Sequence, residues 1–205
     1  MTDTLIYDTS FVALDLETTG STPPADRIIE IGASKVKDFK LVSSFRSFVN
    51  PMRSLPPFIT RLTGIAEEDL IPESPSKEVL PNFLDFLGDS VIVAHHAPFD
   101  HKFLCCEVNE MLGLELRNPV ICTCKLARRI LHFLPSKGLD AVTQFLGIRV
   151  NGRHRAFGDA EATAKVFVVF LKYLEERGVT TLGELIEFQN SGKSNRKTHA
   201  NTGKA

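Results

Sequence analysis

The sequence predicts an α/β fold, a mixed five-stranded sheet flanked by helices. Two observations support this prediction: three strand-like segments occur before residue 51, and short apolar strands then alternate with helical patterns. Strands first and strand–helix alternation afterwards are typical of a mixed sheet with helices on its faces. At 205 residues the chain fits one domain, or one domain with a short appendage. We therefore expect one domain over residues 1–189 and a tail over 190–205.

The first strand carries the two acidic residues around which the chain is organised. Residues 11–20 read FVALDLETTG, so Asp15 and Glu17 face one side of the strand, and Leu14 and Leu16 face the other. Two carboxylates at the end of a buried strand repel each other and lose hydration unless protons or cations compensate. Oxygen ligands on a rigid strand suit Mg²⁺ or Mn²⁺. The alternative is a strand end whose carboxylates simply reach solvent.

Two further strands follow a turn-rich loop at 21–26. Residues 27–37 are rich in β-branched side chains and alternate in polarity, and 41–50 follows a tight connection. Three consecutive strands of this kind predict an antiparallel meander.

The rest of the chain alternates helices and strands. Prolines at 51–57 break the strand pattern, and 58–63 can form only a short helical turn. Ser74 followed by Pro75 predicts an N-cap with proline at the first helical position, opening a helix that lasts to Gly88. The remaining predicted elements are a strand at 90–94, a helix at 98–112, a strand at 119–122, a helix capped by Thr123 and ending near His132, helices at 139–146 and 156–177, and a last helix to Gln189 opened by a capping box of Thr181 and Glu184.

The last residues, 190–205, are polar and show no periodicity. They carry four basic residues and no apolar pattern, so we expect disorder there. A linker or cloning remnant is favoured over a nucleic-acid-binding arm.

Composition excludes several classes of protein. The net charge of −1 argues against coating nucleic acid through bulk positive charge, so a phosphate partner must be held locally. No apolar run approaches the ~20 residues of a membrane span, and the N-terminus does not resemble a secretory signal. The four cysteines lack the paired spacing of structural zinc sites, which favours reduced thiols in a cytosolic protein.

Two further segments place acids at the starts of predicted helices. In VIVAHHAPFD, Asp100 follows a buried strand and a turn; in GRHRAFGDAEA, Asp159 follows a basic loop that contains His154. Each acid has a local explanation, because carboxylates are favoured near helix N-termini by a few tenths of a kcal/mol. His154 has one too, as a solvated loop histidine.

Taken together, these segments resemble the DnaQ-like 3′–5′ exonucleases of the histidine (DEDDh) subtype, a family that includes the proofreading epsilon subunit of bacterial replicases. Asp15-x-Glu17, Asp100 in HHAPFD and His154-x-Ala156-x-x-Asp159 match its motifs in order and spacing, and the resemblance extends from Phe11 to about Tyr173. The chain departs from the family pattern twice. His96 replaces a common Asn, and Cys122 replaces a common Asp before Thr123.

The resemblance implies an RNase H-like fold in which two Mg²⁺ or Mn²⁺ ions lie among four carboxylates, those of Asp15, Glu17, Asp100 and Asp159. Hydrolysis of a phosphodiester needs a deprotonated water near neutral pH, a task that suits an imidazole. His154 is the candidate base, since His95 and His96 lie where a buried strand turns towards a helix and packing should fix at least one of them. His101 should face away from the metals, about 100° round the helix from Asp100. Arg153 and Arg155 could supply local positive charge, or could be solvated loop arginines.

By the same resemblance, Thr18, Leu62, Thr63 and Phe99 should line the pocket for the 3′-terminal nucleotide. Small or apolar surfaces allow a base to pack without its identity being read. Plain core burial is the alternative for Leu62 and Phe99. A basic helix face, formed by Lys125, Arg128 and Arg129, is expected to be a solvated face rather than a track for the strand.

The leading hypothesis is a metal-dependent 3′–5′ exonuclease acting on single-stranded or frayed DNA 3′ ends, in proofreading or repair. An RNA 3′–5′ exonuclease is the second reading, and a catalytically silent module of a replication assembly is the third. The complete set of acids plus histidine argues against silence. A phosphatase is disfavoured because its usual DxD pair is here Asp15-x-Glu17. We expect a cytoplasmic protein with a possible polymerase or repair partner and no membrane association.

Overall fold

The computed structural model describes residues 3–191, which form a five-stranded mixed sheet with helices on both faces. The strands are β1 (Phe11–Thr18), β2 (Ile28–Lys37), β3 (Lys40–Phe48), β4 (Val91–Ala94) and β5 (Val120–Cys122). The helices are α1 (Pro57–Thr63), α2 (Glu67–Leu70), α3 (Ser76–Leu87), α4 (Pro98–Leu112), α5 (Thr123–Ile130), α6 (Leu139–Phe145), α7 (Ala156–Glu175) and α8 (Leu182–Asn190).

The sheet has the strand order β3–β2–β1–β4–β5. β1 pairs antiparallel with β2, and β2 pairs antiparallel with β3, so the predicted meander is confirmed. β1 pairs parallel with β4, and β4 pairs parallel with β5. Parallel neighbours need a crossover connection, which α3 and α4 provide.

β1 lies at the centre and contributes side chains to both apolar layers. Phe11 and Ala13 face the layer that α7 covers, where the ring of Phe11 meets that of Phe167 edge-on at 4.9 Å between centroids. Val12 and Leu14 face the layer that α3 and α4 cover. This alternation places Asp15 and Glu17 on the α7 side of the sheet.

Two predicted helix caps are wrong. Ser74 does not cap α3, because its hydroxyl donates to Glu78 (2.7 Å) and Pro75 holds the N-cap position. Thr123 is the first residue of α5 rather than its cap, and its hydroxyl lies 3.3 Å from the carbonyl of Ala94. The capping box of α8 is confirmed: the amide of Glu184 donates to the Thr181 hydroxyl, and the Thr181 amide donates to the Glu184 carboxylate.

Element ends otherwise differ from the prediction by one or two residues, and α2 is an additional short helix. No helix within residues 3–191 is long and apolar enough to cross a membrane. The predicted disordered tail lies outside the described residues, except for its first two positions.

Candidate active site

A cleft of about 350 Å³ opens where β1 ends and where helices from both faces of the sheet meet. β1 contributes Asp15 and Glu17, the first turn of α4 contributes Asp100, and the first turn of α7 contributes Asp159. The structure thus brings all four predicted acids and His154 into one cleft. Its lining consists of Asp15, Leu16, Glu17, His95, His96, Phe99, Asp100, Leu139, Arg153, His154 and Asp159.

Three of the carboxylates lie close enough to share a cation. Each of Asp15, Glu17 and Asp159 offers an oxygen within 4.8 Å of the others. Asp100 approaches from the opposite face of the sheet, and its Oδ1 accepts a hydrogen bond from the amide of Leu16 (3.2 Å). That bond fixes Asp100 against the strand that carries the other two acids.

Burial and repulsion by neighbouring carboxylates raise the pKa values of Asp15, Glu17 and Asp100. Burial, followed by the negative charges of Asp100 and of Glu17, raises the pKa of Asp15 well above its usual value. Burial and the nearby Glu30 and Asp159 raise the pKa of Glu17 to about 7, and burial raises the pKa of Asp100 to about 7. Hard divalent cations stabilise the ionised form of such clustered carboxylates. The residues present therefore fit Mg²⁺ or Mn²⁺.

Neither arginine beside His154 is a solvated loop residue. Arg153 pairs with both Asp159 and Asp140. Arg155 donates from Nε and Nη2 to the two oxygens of Glu30 (3.1 and 3.2 Å) and lies over the ring of Phe48. Both positive charges are therefore paired with carboxylates, which contradicts the alternative of solvated loop arginines, whereas their role towards a substrate stays a prediction.

The histidines of the cleft have different environments. His154 is exposed, has a φ of +56°, and its backbone amide donates to Asp159 Oδ2 (3.2 Å). Burial lowers the pKa of His95, and both its ring nitrogens are engaged, Nδ1 by the Thr123 hydroxyl and Nε2 by the carbonyl of Lys137 (both 2.8 Å). His96 is exposed with a φ of +86°, a left-handed conformation that Asn adopts more readily than most residues. His101 points at Cys105 Sγ, 3.3 Å from its Nε2, and is absent from the cleft lining.

A second cleft of about 480 Å³ adjoins the first and shares Leu16, Glu17 and Phe99 with it. Thr18 and Leu62 line this cleft, and its use for the 3′-terminal nucleotide stays a prediction. Leu62 is 53% exposed, so core burial does not account for it. Thr63 lies beneath the surface, where its hydroxyl donates to the carbonyl of Ile59 (2.9 Å).

Sequence reasoning missed Phe58, which lines the second cleft and is 53% exposed. The signal was available, because Phe58 stands four residues before Leu62 on the same short helix and therefore on the same face.

The basic face of α5 is directed partly towards α8. The guanidinium of Arg129 stacks over Phe188 at 4.7 Å, and Lys125 Nζ lies 3.4 Å from Asn190 Oδ1. Lys125 and Arg128 are exposed, as a solvated face predicts, whereas Arg129 is partly covered by α8.

Residues 12–167 match the family model RNase_T, described as exonuclease. Over 174 residues the chain is 36% identical to the DNA polymerase III subunit epsilon of Aquifex aeolicus, covering 85% of this chain and 86% of that protein. Over 189 residues it is 40% identical to the PolC-type DNA polymerase III of Thermotoga maritima, covering 92% of this chain. The match spans only 14% of that PolC-type protein.

Two solved structures illustrate the shared fold. Exonuclease X in complex with 5′-overhanging duplex DNA superimposes with a TM-score of 0.68 at 25% identity, over 88% of this chain and 99% of that one. The nuclease domain of 3′hExo, described as a DEDDh family member bound to rAMP, superimposes with a TM-score of 0.69 at 21% identity, over 82% and 94%. The predicted RNase H-like arrangement of a mixed sheet flanked by helices is confirmed.

Proposed function

We propose, from the premise that this chain belongs to the DnaQ-like (DEDDh) family of 3′–5′ exonucleases, that it hydrolyses the terminal phosphodiester at DNA 3′ ends. Nucleoside 5′-monophosphates would be the products, and unpaired or frayed ends the preferred substrates. The observation that carries the proposal is the convergence of four acids and His154 in one cleft that adjoins a second, more apolar one.

The carboxylates of Asp15, Glu17, Asp100 and Asp159 would hold two divalent cations. When bound, such cations supply positive charge that activates water and stabilises charge on the attacking and leaving oxygens. The chain's own residues do the rest. His154 is exposed and lines the cleft, where its ring can accept the proton of the attacking water.

The second cleft is suited to the terminal nucleotide. Phe99 and Leu62 offer apolar surface on which a base can pack, and Thr18 adds a small side chain beside Glu17. Because such surfaces do not read base edges, removal of any of the four nucleotides is expected. The shared wall at Glu17 and Phe99 would put the scissile phosphate beside the acids.

DNA is favoured over RNA, and association with a replicative polymerase is part of the proposal. The relatives are parts of DNA polymerase III, and exonuclease X was solved with DNA. An RNA exonuclease remains the second candidate, since the nuclease domain of 3′hExo was solved with rAMP. A proofreading or repair role fits a cytoplasmic location.

A single assay tests the proposal. Single-stranded DNA and RNA of one sequence, labelled at the 5′ end, are incubated with the chain and Mg²⁺ or Mn²⁺. Stepwise shortening of the DNA from the 3′ side, faster than that of the RNA, is expected, and a 3′-phosphate should slow it. Faster loss of RNA would favour the second candidate, and no hydrolysis with either metal would favour the silent module.

Two controls sharpen the assay. Activity that persists in EDTA would contradict metal dependence. Cleavage of a circular single strand would show an endonuclease and overturn the assignment of direction.

A further inference from the structure

One buried carboxylate of the sheet is not part of the cation cluster. Glu30, the third residue of β2, is fully buried and lies directly opposite Glu17 in the register of the two strands. A buried carboxylate is costly unless it is paired and fully hydrogen-bonded. The partners of Glu30 therefore indicate what it does.

Most of those partners belong to the beginning of α7. Oε2 accepts from Arg155 Nε (3.1 Å) and from the amide of Ala156 (3.2 Å), and Oε1 accepts from Arg155 Nη2 (3.2 Å). The fourth donor is Nε of Arg46 on β3, also at 3.2 Å from Oε1. Arg155 is the N-cap residue of α7 and makes no cap with its own side chain. Glu30 thus supplies from β2 an acceptor for one amide at the N-terminus of α7, that of Ala156.

A second feature of β2 fixes the same point of α7 from the backbone side. Gly32 pairs with Asp15, and a Cβ built on it would lie 2.2 Å from the carbonyl carbon of Ala156. Only glycine allows the helix backbone to lie this close to the strand. β2 therefore has two residues opposite the acids of β1 that fix the start of α7. Gly32 leaves space for the helix backbone, and Glu30 binds it.

We propose that Glu30 is a positioning residue: through Arg155 and the amide of Ala156, it sets where His154 and Asp159 stand relative to Asp15 and Glu17. His154 directly precedes Arg155, and Asp159 lies one helical turn beyond it, so any shift at the start of α7 moves both. Small misplacements of this kind are costly for catalysis, about 100-fold for 1 Å. The expected loss of kcat rests on the proposed function, and the expected loss of Mn²⁺ affinity rests on cation binding by the four acids.

The test compares Glu30→Gln, which keeps the volume but presents an amide to Arg155, with two controls. Arg46→Met removes a donor from the same carboxylate, and Arg46 lies on β3 rather than at the start of α7. Thr181→Ala removes the side-chain cap of α8, which is outside the cleft lining. Three experiments are done on each variant: kinetics on labelled DNA for kcat and KM, titration for Mn²⁺ affinity and stoichiometry, and thermal unfolding without metal.

Glu30→Gln is expected to lower kcat by about 10- to 100-fold and to weaken Mn²⁺ binding about tenfold, with little change in KM. Both controls should keep wild-type kcat and Mn²⁺ affinity. Adding Arg155→Met to Glu30→Gln should cost little more, because both changes break one contact. Should Glu30→Gln fail to fold, Gly32→Ala displaces α7 with Glu30 intact and should give the same losses.

Wild-type kcat and Mn²⁺ affinity in folded Glu30→Gln or Gly32→Ala would overturn the proposal, as would an equal loss in Arg46→Met. Loss of a whole Mn²⁺ equivalent in Glu30→Gln would make Glu30 a ligand and also overturn it. A wild-type chain that hydrolyses nothing would overturn the proposed function instead, and the Mn²⁺ comparison would still decide the placement of α7.

Discussion

At the scale of single residues, Asp15 lies among the three other acids of the cleft. Burial and the negative charges of these acids raise its pKa well above the usual value. We expect Asp15→Asn to abolish hydrolysis by removing an oxygen that cations need, while the fold is retained. Because the change also relieves like-charge repulsion, the metal-free variant should unfold at the same or a higher temperature than wild type. Activity assays with Mg²⁺ and thermal unfolding in EDTA check both parts, and a sharply lower unfolding temperature would contradict the second.

His154 and His96 both line the cleft, and they make a matched pair of variants. His154→Ala is expected to lower kcat by ~10²–10⁴-fold, with Mn²⁺ and DNA binding largely kept, because only proton transfer is lost. His96→Ala should change KM more than kcat. Steady-state kinetics of both variants check this. If His96→Ala lowers kcat and His154→Ala changes mainly KM, the two roles are exchanged.

The predictability of the site differs from residue to residue. That Asp15 and Glu17 face the same way followed from strand alternation alone. Asp100 and Asp159 each had a sufficient local explanation, so only the family resemblance pointed to them. The partner of Arg155 lies 125 positions away in the sequence and becomes its neighbour only when β2 and α7 pack together. No local pattern contains such a contact.

At the scale of elements, α1 forms one wall of the second cleft. Phe58 and Leu62, one turn apart, are both about half exposed there. We expect Phe58→Ala to raise KM for single-stranded DNA by roughly 5- to 100-fold, the worth of stacking one base on an aromatic ring, with a smaller effect on kcat. Leu62→Ala should act in the same direction.

A matched control for the α1 variants is Ile71→Ala. Ile71 is an exposed apolar residue that lines neither cleft, and its removal should leave KM unchanged. Equal KM values for Phe58→Ala and Ile71→Ala would contradict a role of α1 in holding the nucleotide.

Element boundaries were harder to predict than element order. The meander, the alternation after it and the family fold followed from the patterns of polarity and of motifs. The wrong caps, Ser74 and Thr123, arose where a side chain with good local propensity had a better partner elsewhere. The Thr123 hydroxyl, for instance, bonds with the ring of His95. Tertiary contacts compete with local capping, and a sequence pattern shows only the latter.

At the scale of the whole molecule, the acids of the cleft should make the metal-free protein less stable as the pH rises. Bound divalent cations should oppose this loss. The pKa of Glu17 rises from 4.5 to about 7 on folding, and that of Asp100 from 3.8 to about 7. Between those values the metal-free native state holds more protons than the unfolded chain. The stabilisation contributed by these two groups is therefore fully present at low pH and is lost as the pH rises towards and through 7.

Divalent cations bind the deprotonated carboxylates, so their stabilising effect should increase over the same window. We expect the gain in unfolding temperature on adding Mg²⁺ to be small at pH 5 and to grow up to about pH 8.

The double variant Glu17→Gln and Asp100→Asn isolates the two groups, since neither side chain titrates. Measured in EDTA, its unfolding temperature should exceed that of wild type by an amount that increases with pH. A difference that stays constant from pH 5 to pH 8 would contradict the raised pKa values of Glu17 and Asp100 in the metal-free protein.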